Sequence, residues 1–355
     1  MKAYLWFVLF FILLLLFEFL KLYFIMPFPG SQTSEMVWLS YPIHVYRWVF
    51  RSLIGLGFLL AMWRCFKIST LGKVISFLGA MFVCLVYYGV GYVFSAEAMF
   101  KQLERLSYVD AKAYESSRII IGINRNDEAK AYPIEMLGYH HYILDSLANQ
   151  PYLLSYCTVC HSGRVYSPVV DGKLLRFRLV GMDLFNAMLE DNETGSWWRQ
   201  ASGECIAGPF KGRKLTELPF VQCSVAEWVK LFPGSYFLKE DSRYKDEYRS
   251  IDGFAVGEVK GGLIGVDTTG IWSDKAWIIG VEFNGISKAY LWNDVVKRGP
   301  LVDSIGNSVI EIYANEESHD FFVKDYLTDS TMLSFQEFWH SWKAFHPNTL
   351  RKIDY

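Results

Sequence analysis

Soft, reactive side chains crowd together at one place in this chain, Cys157-Thr-Val-Cys160-His161. Two cysteines at this spacing suit four chemistries. As thiolates they can hold copper or zinc, given two or more further ligands. As a redox pair they can cycle between dithiol and disulfide, provided one thiol has a lowered pKa. With His161 directly after them they spell the Cys-x-x-Cys-His motif of c-type haem attachment. They can also form a local disulfide, or pack as two thiols, and do no more than stiffen a turn.

The surroundings narrow the choice. The flanks, Tyr152–Tyr156 and Gly163–Tyr166, read as strands with Pro168 beyond. No helix begins at the first cysteine, so the helix N-terminus that activates a thioredoxin-like thiol is missing. Two cysteines in a tight turn between strands, followed closely by Gly163, would present both sulfurs to one side. Candidate partners are His140, His141 and His161, with Met182 and Met188 added for copper and Asp183 as a weaker acid. His140 and His141 are adjacent, so in an extended segment at most one of them points at the cysteines. Asp191–Gly195 reads as a turn before it reads as a site. Trp197 and Trp198 are expected to place one ring in the core and one on the rim. Cys205 and Cys223 have no helpful spacing and are expected to be structural. Cys65 and Cys84 fall in apolar runs, where cysteine behaves as a small hydrophobe.

The elements that must hold these residues contain an internal repeat. Ile120-Ile-Gly122-Ile, Lys130-Ala-Tyr132, Asp145-Ser146 and Asn149 recur as Ile278-Ile-Gly280-Val, Lys288-Ala-Tyr290, Asp303-Ser304 and Asn307, all at one offset of 158. Trp228-Val-Lys-Leu-Phe-Pro233 resembles Trp342-Lys-Ala-Phe-His-Pro347 at an offset of 114, so the second copy is 44 residues shorter after the cysteine region. At the offset of 158, Cys157 corresponds to Asn315, Cys160 to Ser318, His140 to Arg298 and His141 to Gly299. The first copy is therefore expected to carry the site and the second to be structural.

Each copy opens as a hairpin, and Asn284-Gly285 is a strong tight-turn signal. Short helices are expected at Pro133–Leu137 and Leu291–Lys297, strands around Ile143–Asp145 and Leu301–Asp303, and further strands at Leu174–Val180 and Trp197–Gln200. Amphipathic closing helices are expected at Ser224–Phe232 and Ser334–Phe345. The reading is a β-rich α+β domain built from two repeats: residues 118–240 with the cysteines, a linker over 241–275, and a shorter copy over 276–355.

Hydrophobic residues make up 52% of the chain, and the excess lies at the front. Three spans are expected, at about residues 3–26, 45–66 and 74–94, each long enough to cross a bilayer of roughly 30 Å. A mostly helical connector, 95–117, follows. Glu18 and Lys21 can pair on the first span, while Arg47 and Arg51 oblige the second to place charges at the interface. Arg64, Lys67 and Lys73 between the second and third spans put that loop and the N-terminus in the cytoplasm. Everything after Phe94 is then extracytoplasmic, and the lipid bilayer is the one partner the sequence implies. Lys and Arg number 35 against 37 Asp and Glu, without the basic footprint of a nucleic-acid binder.

The runs Gly138-Tyr-His140-His141, Ser155-Tyr-Cys157-Thr-Val-Cys160-His-Ser-Gly163-Arg-Val, Val180-Gly181-Met182-Asp183 and Thr194-Gly-Ser-Trp197-Trp198 through Gly208-Pro209 resemble a large bacterial family catalogued as a domain of unknown function, DUF3179. The likeness covers roughly Ile119 to Leu350. It implies a bacterial protein but no established activity, and with the three expected spans the location is the bacterial cytoplasmic membrane. The family keeps the cysteine pair, while the position of His161 is commonly another residue, which weighs against haem. Cys205 and Cys223 fall where the family usually has other residues. A histidine near His140 or His141 fits the family pattern. The expectation is a membrane-anchored extracytoplasmic protein that binds copper or zinc or does thiol redox chemistry at Cys157 and Cys160, with His140 or His141 assisting. The alternative is an envelope scaffold with a structural disulfide.

Overall fold

The computed structural model describes residues 2–28, 30–32, 36–255 and 272–352. The Gly-rich half of the expected linker lies outside the described residues.

Three helices, Lys2–Tyr23, Arg47–Ile68 and Thr70–Val93, are long and apolar enough to cross a membrane. Charge explains how the first two tolerate their polar residues. Glu18 takes Arg51 through two bonds of 2.5 and 2.8 Å and Lys21 at 3.1 Å. A charge-neutralised bidentate pair costs far less among apolar groups than either ion alone. The extra helix Val37–Val45, which carries Pro42, was not foreseen from the sequence. It leans on the soluble part, with Tyr41 edge-on to Trp197 at 5.1 Å.

The soluble part is β-rich. Ile119–Arg125 pairs antiparallel with Glu128–Pro133 and Val221–Ser224, and Tyr236–Leu238 adds in parallel beside Glu128–Pro133. Further along, Trp277–Phe283 pairs antiparallel with Ile286–Leu291 and Ser334–Phe338, and Leu350–Arg351 adds in parallel beside Ile286–Leu291. Both hairpins turn through two residues at positive φ, Asn126-Asp127 and Asn284-Gly285. In each sheet a central glycine is covered by a tryptophan ring: Trp228 over Gly122, and Trp342 over Gly280. Each hairpin lysine reaches an aspartate on the next meander, Lys130 to Asp145 at 2.9 Å and Lys288 to Asp303 at 2.8 Å.

Two three-stranded meanders follow the hairpins. The first runs Tyr142–Leu147, Gln150–Cys157 and Ser162–Tyr166; the second runs Leu301–Ile305, Ser308–Ala314 and Phe321–Asp325. After the first meander comes a four-stranded sheet, Phe177–Asp183, Asn186–Asp191, Trp197–Arg199 and Cys205–Ala207. It packs Val180, Met188 and Trp197 against Ile25, just after the first long apolar helix. The two β units meet directly. Arg164 bonds Glu337 at 2.6 Å, both almost fully buried, and Gln222 bonds Gln336 at 2.6 Å.

Three expectations are corrected. The connector is helical only at Ala96–Met99 and in one 3-10 turn at Ala111–Ala113. Ser334–Phe345 is not one helix: Ser334–Phe338 pairs with Trp277–Val281 before the chain turns helical at Trp339. Pairing beside a buried strand outweighs the segment's helical periodicity. Trp197 and Trp198 are both core, at 0% and 1% exposure, because their indole N–H groups reach Glu190 and Asp191 at 2.8 Å.

Candidate thiol site

Cys157 ends one strand, and its backbone partner Ser162 opens the next, leaving Thr158–His161 as the turn. Both thiols are free and fully buried. Both face one carbonyl, that of Phe185, with Sγ of Cys157 at 3.7 Å and Sγ of Cys160 at 3.5 Å. Phe185 sits at the tip of the hairpin Phe177–Asp183/Asn186–Asp191, which covers the sulfurs.

That cover is strained. Leu184 and Phe185 turn the hairpin at φ 50 and 62, positions where asparagine and glycine are normally required and a bulky side chain is disfavoured. The turn is held from the segment after the first long helix, because Gln32 Oε1 accepts the Phe185 N–H at 3.2 Å. Beneath it, Asn186 donates to the Ser162 hydroxyl at 3.2 Å, while its own Oδ1 is buried without a partner among the described residues.

The two thiols are not equivalent. A hydrogen bond from Cys160 holds Cys157 below the usual thiol range against the opposing effect of burial, helped by the backbone N–H groups of Cys160, Ala187 and Val159. Burial and the neighbouring Cys157 push Cys160 well up. This asymmetry separates a thiol poised to be a nucleophile from one that keeps its proton.

Cys160 is opposed by His340, from the first turn of the helix Trp339–Phe345. His340 Nδ1 lies 2.9 Å from the Asp274 carbonyl. A carbonyl only accepts, so Nδ1 carries the proton and Nε2 presents a lone pair. Nε2 is buried with no hydrogen-bond partner among the described residues. Burial alone would push this imidazole down, but the Cys160 thiol and the Asp274 carbonyl carry it above the ordinary histidine range. Backbone bonds fix the arrangement: Phe338 N–H donates to the Cys160 carbonyl at 2.9 Å and His340 N–H to the Asp274 carbonyl at 3.0 Å. Lys275 adds a cation, with Nζ 3.2 Å from the Val159 carbonyl. Burial lowers its pKa and the two cysteines oppose that.

The other sequence candidates lie elsewhere. His140 ends a short helix, Ile134–His140, and bonds the Lys101 carbonyl and the Tyr248 hydroxyl. His141 caps that helix at φ 62, packs on Phe100 and sits 3.4 Å from the Tyr156 carbonyl. Burial lowers its pKa to about 4. Both have partners of their own, and neither contacts a thiol. His161 turns to the far side, bonding Tyr156 at 2.5 Å and stacking edge-on against Trp277 at 3.7 Å. With both sulfurs and His161 buried, this turn has no open edge for a haem. Asp183 is spent on Arg199 at 2.6 Å, and Met182 pairs its backbone with Ile25. Cys205 and Cys223 are buried and free, and burial raises their thiols to about 11 and about 12.

Sequence reasoning missed His340 and Lys275. A signal for each existed: in the internal comparison His340 corresponds to Ala226 at the offset of 114 and Lys275 to Ser117 at 158. Read in that direction, the second copy gains a base and a cation that the first lacks. Cys157, Cys160 and His340 are three soft donors, yet among the described residues no three His, Cys, Asp or Glu side chains are arranged to hold a metal ion. As they stand they form a loose cluster rather than a preformed cage.

No curated protein and no solved structure matches this chain. The family described as a protein of unknown function (DUF3179) matches residues 99–349, and the chain belongs to that family.

Proposed function

We propose that Cys157 and Cys160 form a dithiol–disulfide couple on an extracytoplasmic domain of a multi-pass protein of the bacterial cytoplasmic membrane. The observation that carries this reading is the asymmetry of two free, adjacent thiols with a base beside one of them. Cys157, as thiolate, attacks one sulfur of a partner disulfide; that S–S bond breaks and one partner sulfur leaves as a thiolate. Cys160 gives its proton to His340 Nε2 and attacks the Cys157 sulfur. The Cys157–Cys160 disulfide forms, the second partner sulfur leaves, and two electrons have passed from the site to the partner. In reverse the site oxidises a dithiol. Because the thiols are buried, exchange requires the Leu184-Phe185 turn to open, and its strained backbone favours that.

A soft-metal reading keeps one observation of its own. The orphaned His340 Nε2 and two thiolates are donors of the kind that suits copper(I). It needs the three donors to converge further than they do.

We also infer that the two β units are copies of one ancestral unit. The shared sheet order, the paired lysine–aspartate contacts and the tryptophan-over-glycine packing support this. The site then uses the cysteines of one copy and the histidine of the other.

The step is tested by trapping. Treated with a small aromatic disulfide, a Cys160→Ser variant should carry one mixed disulfide at Cys157, and a Cys157→Ser variant should react more slowly at Cys160, the direction that the asymmetry of the two thiols gives. Adding His340→Ala to the wild-type pair should slow disulfide closure and leave the first attack unchanged. Equal reactivity of the two thiols would sink the assignment of roles.

A further inference from the structure

Where the three long helices meet the soluble domain they enclose a cavity of about 250 Å³. Its charged lining is lopsided. Lys21, Arg47, Arg51 and Arg178 are its basic side chains, against one lining acid, Glu97, which is 60% exposed. Two further carboxylates stand behind the wall and are already used. Glu18 takes Arg51 and Lys21, and Glu190 takes Arg178 at 2.5 Å and His44 at 3.1 Å.

Arg47 is left over. Its guanidinium donates to the His44 carbonyl at 2.6 Å and makes no ion pair among the described residues. The rest of the lining is amphipathic, with the rings of Trp48, Tyr87 and Tyr92 beside Leu22, Val90 and Leu179. Arg51 also lies 4.9 Å from the Trp48 ring and 4.8 Å from that of Tyr87. Cations beside aromatic rings at the end of a bundle of long apolar helices are what a lipid headgroup region contains.

We propose that this cavity binds the phosphate of an anionic phospholipid headgroup. Arg47 supplies the planar, bidentate recognition of phosphate oxygens, and the acyl chains run down the exposed flanks of the helices. A singly charged phosphodiester matches the single unspent cation. The apolar side chains in the lining favour an amphiphile over free inorganic phosphate, which would strand its hydration beside them. With the soluble domain extracytoplasmic, Lys21, Arg47 and Arg51 stand on the side where basic residues are scarce. An anionic ligand gives a reason for keeping them. The proposal rests on the membrane reading of these helices but not on the thiol chemistry.

The test uses the full chain purified in a neutral detergent. Its thermal midpoint is followed with phosphatidylglycerol, phosphatidylcholine or inorganic phosphate added, for wild type, Arg47→Gln and a control, Lys73→Gln, at the opposite ends of the helices. Phosphatidylglycerol should raise the wild-type and Lys73→Gln midpoints by a few degrees. Arg47→Gln should need about tenfold more lipid for the same shift. An equal shift from inorganic phosphate would overturn the lipid assignment, and an equal response of all three proteins would overturn the site. Should Arg47→Gln fail to fold, native mass spectrometry of wild type decides. A retained phospholipid mass that survives washing with inorganic phosphate supports the site, and its absence overturns it. A chain that stays dispersed without detergent would instead overturn the membrane reading itself, a separate result.

Discussion

At the scale of single residues, the site is an arrangement of burial and proton position. Cys157 and Cys160 share one environment, yet the hydrogen bond from Cys160 and the N–H groups that converge on Cys157 lower its thiol, while burial raises that of Cys160 against the opposing pull of His340. The cysteines themselves were legible in the sequence because their spacing is a motif. His340 was not, because nothing in its neighbourhood marks it until the strand Ser334–Phe338 turns it toward the Cys157–Cys160 turn. The adjacent His140 and His141 drew attention for their type alone, and a helix end and a backbone carbonyl already use them. Close to the site, Glu217 carries a prediction. Burial, aided by Glu282 and Glu337 and opposed by Arg164 and Lys214, raises its carboxyl from 4.5 to about 7. Its Oε1 lacks a hydrogen-bond partner among the described residues. In this window the folded state holds a proton that the unfolded chain has released, so stability falls as pH rises from about 4.5 to about 7. Glu217→Gln should therefore match wild type at pH 4 and exceed it by about 1–3 kcal/mol at pH 8. Denaturant melts at the two pH values check this, and a variant no more stable at pH 8 would refute it.

At the scale of elements, hairpins were read well, as was the helix Trp292–Arg298, and the closing helix of the second unit poorly. Asn284-Gly285 dictates its turn chemically, and the strands on either side follow from alternation, so both ends of Trp277–Phe283 and the start of Ile286–Leu291 were legible. Ser334–Phe345 was misread because a buried strand edge is a tertiary demand that no local pattern records. The strained Leu184-Phe185 turn was equally hidden, since two bulky residues at positive φ go against every local preference. The glycines under tryptophan rings make a direct test of how the sheets are packed. A Cβ at Gly280 would enter the Trp342 ring, which is fully buried. Gly280→Ala should destabilise the soluble part by about 1–3 kcal/mol through overpacking, read as a lower melting midpoint with unchanged binding of lipid. An unchanged midpoint would mean that the ring is free to move aside.

At the scale of the whole molecule, the three apolar helices, the domain they carry and the family were legible from composition and motif. How the parts join was not. Helix Val37–Val45, Ile25 and Gln32 tie the membrane end of the chain to the four-stranded sheet, and that sheet's turn covers the thiols. The cover of the thiol pair is thus anchored to the membrane-proximal loop. The proposed sidedness rests on Arg64, Lys67 and Lys73 between the second and third helices. A reporter active only outside the cytoplasm, fused after Tyr355, should be active, and one active only inside should be silent. The opposite pattern would reverse the orientation and place the thiols in a reducing compartment.

The central claim is that Cys157 and Cys160 cycle as a redox pair. The most direct measurement is a thiol count with elemental analysis across a series of redox buffers, on the full chain isolated without reductant or chelator. The account predicts two thiols lost together to an intramolecular disulfide, no bound copper or zinc, and a midpoint potential above about −300 mV, in the range of exchangeable rather than structural disulfides. Near-stoichiometric copper or zinc that disappears in the Cys157→Ser, Cys160→Ser double variant would contradict it and make this a metal site. A disulfide that resists reduction well below that potential would contradict it too, leaving a structural link.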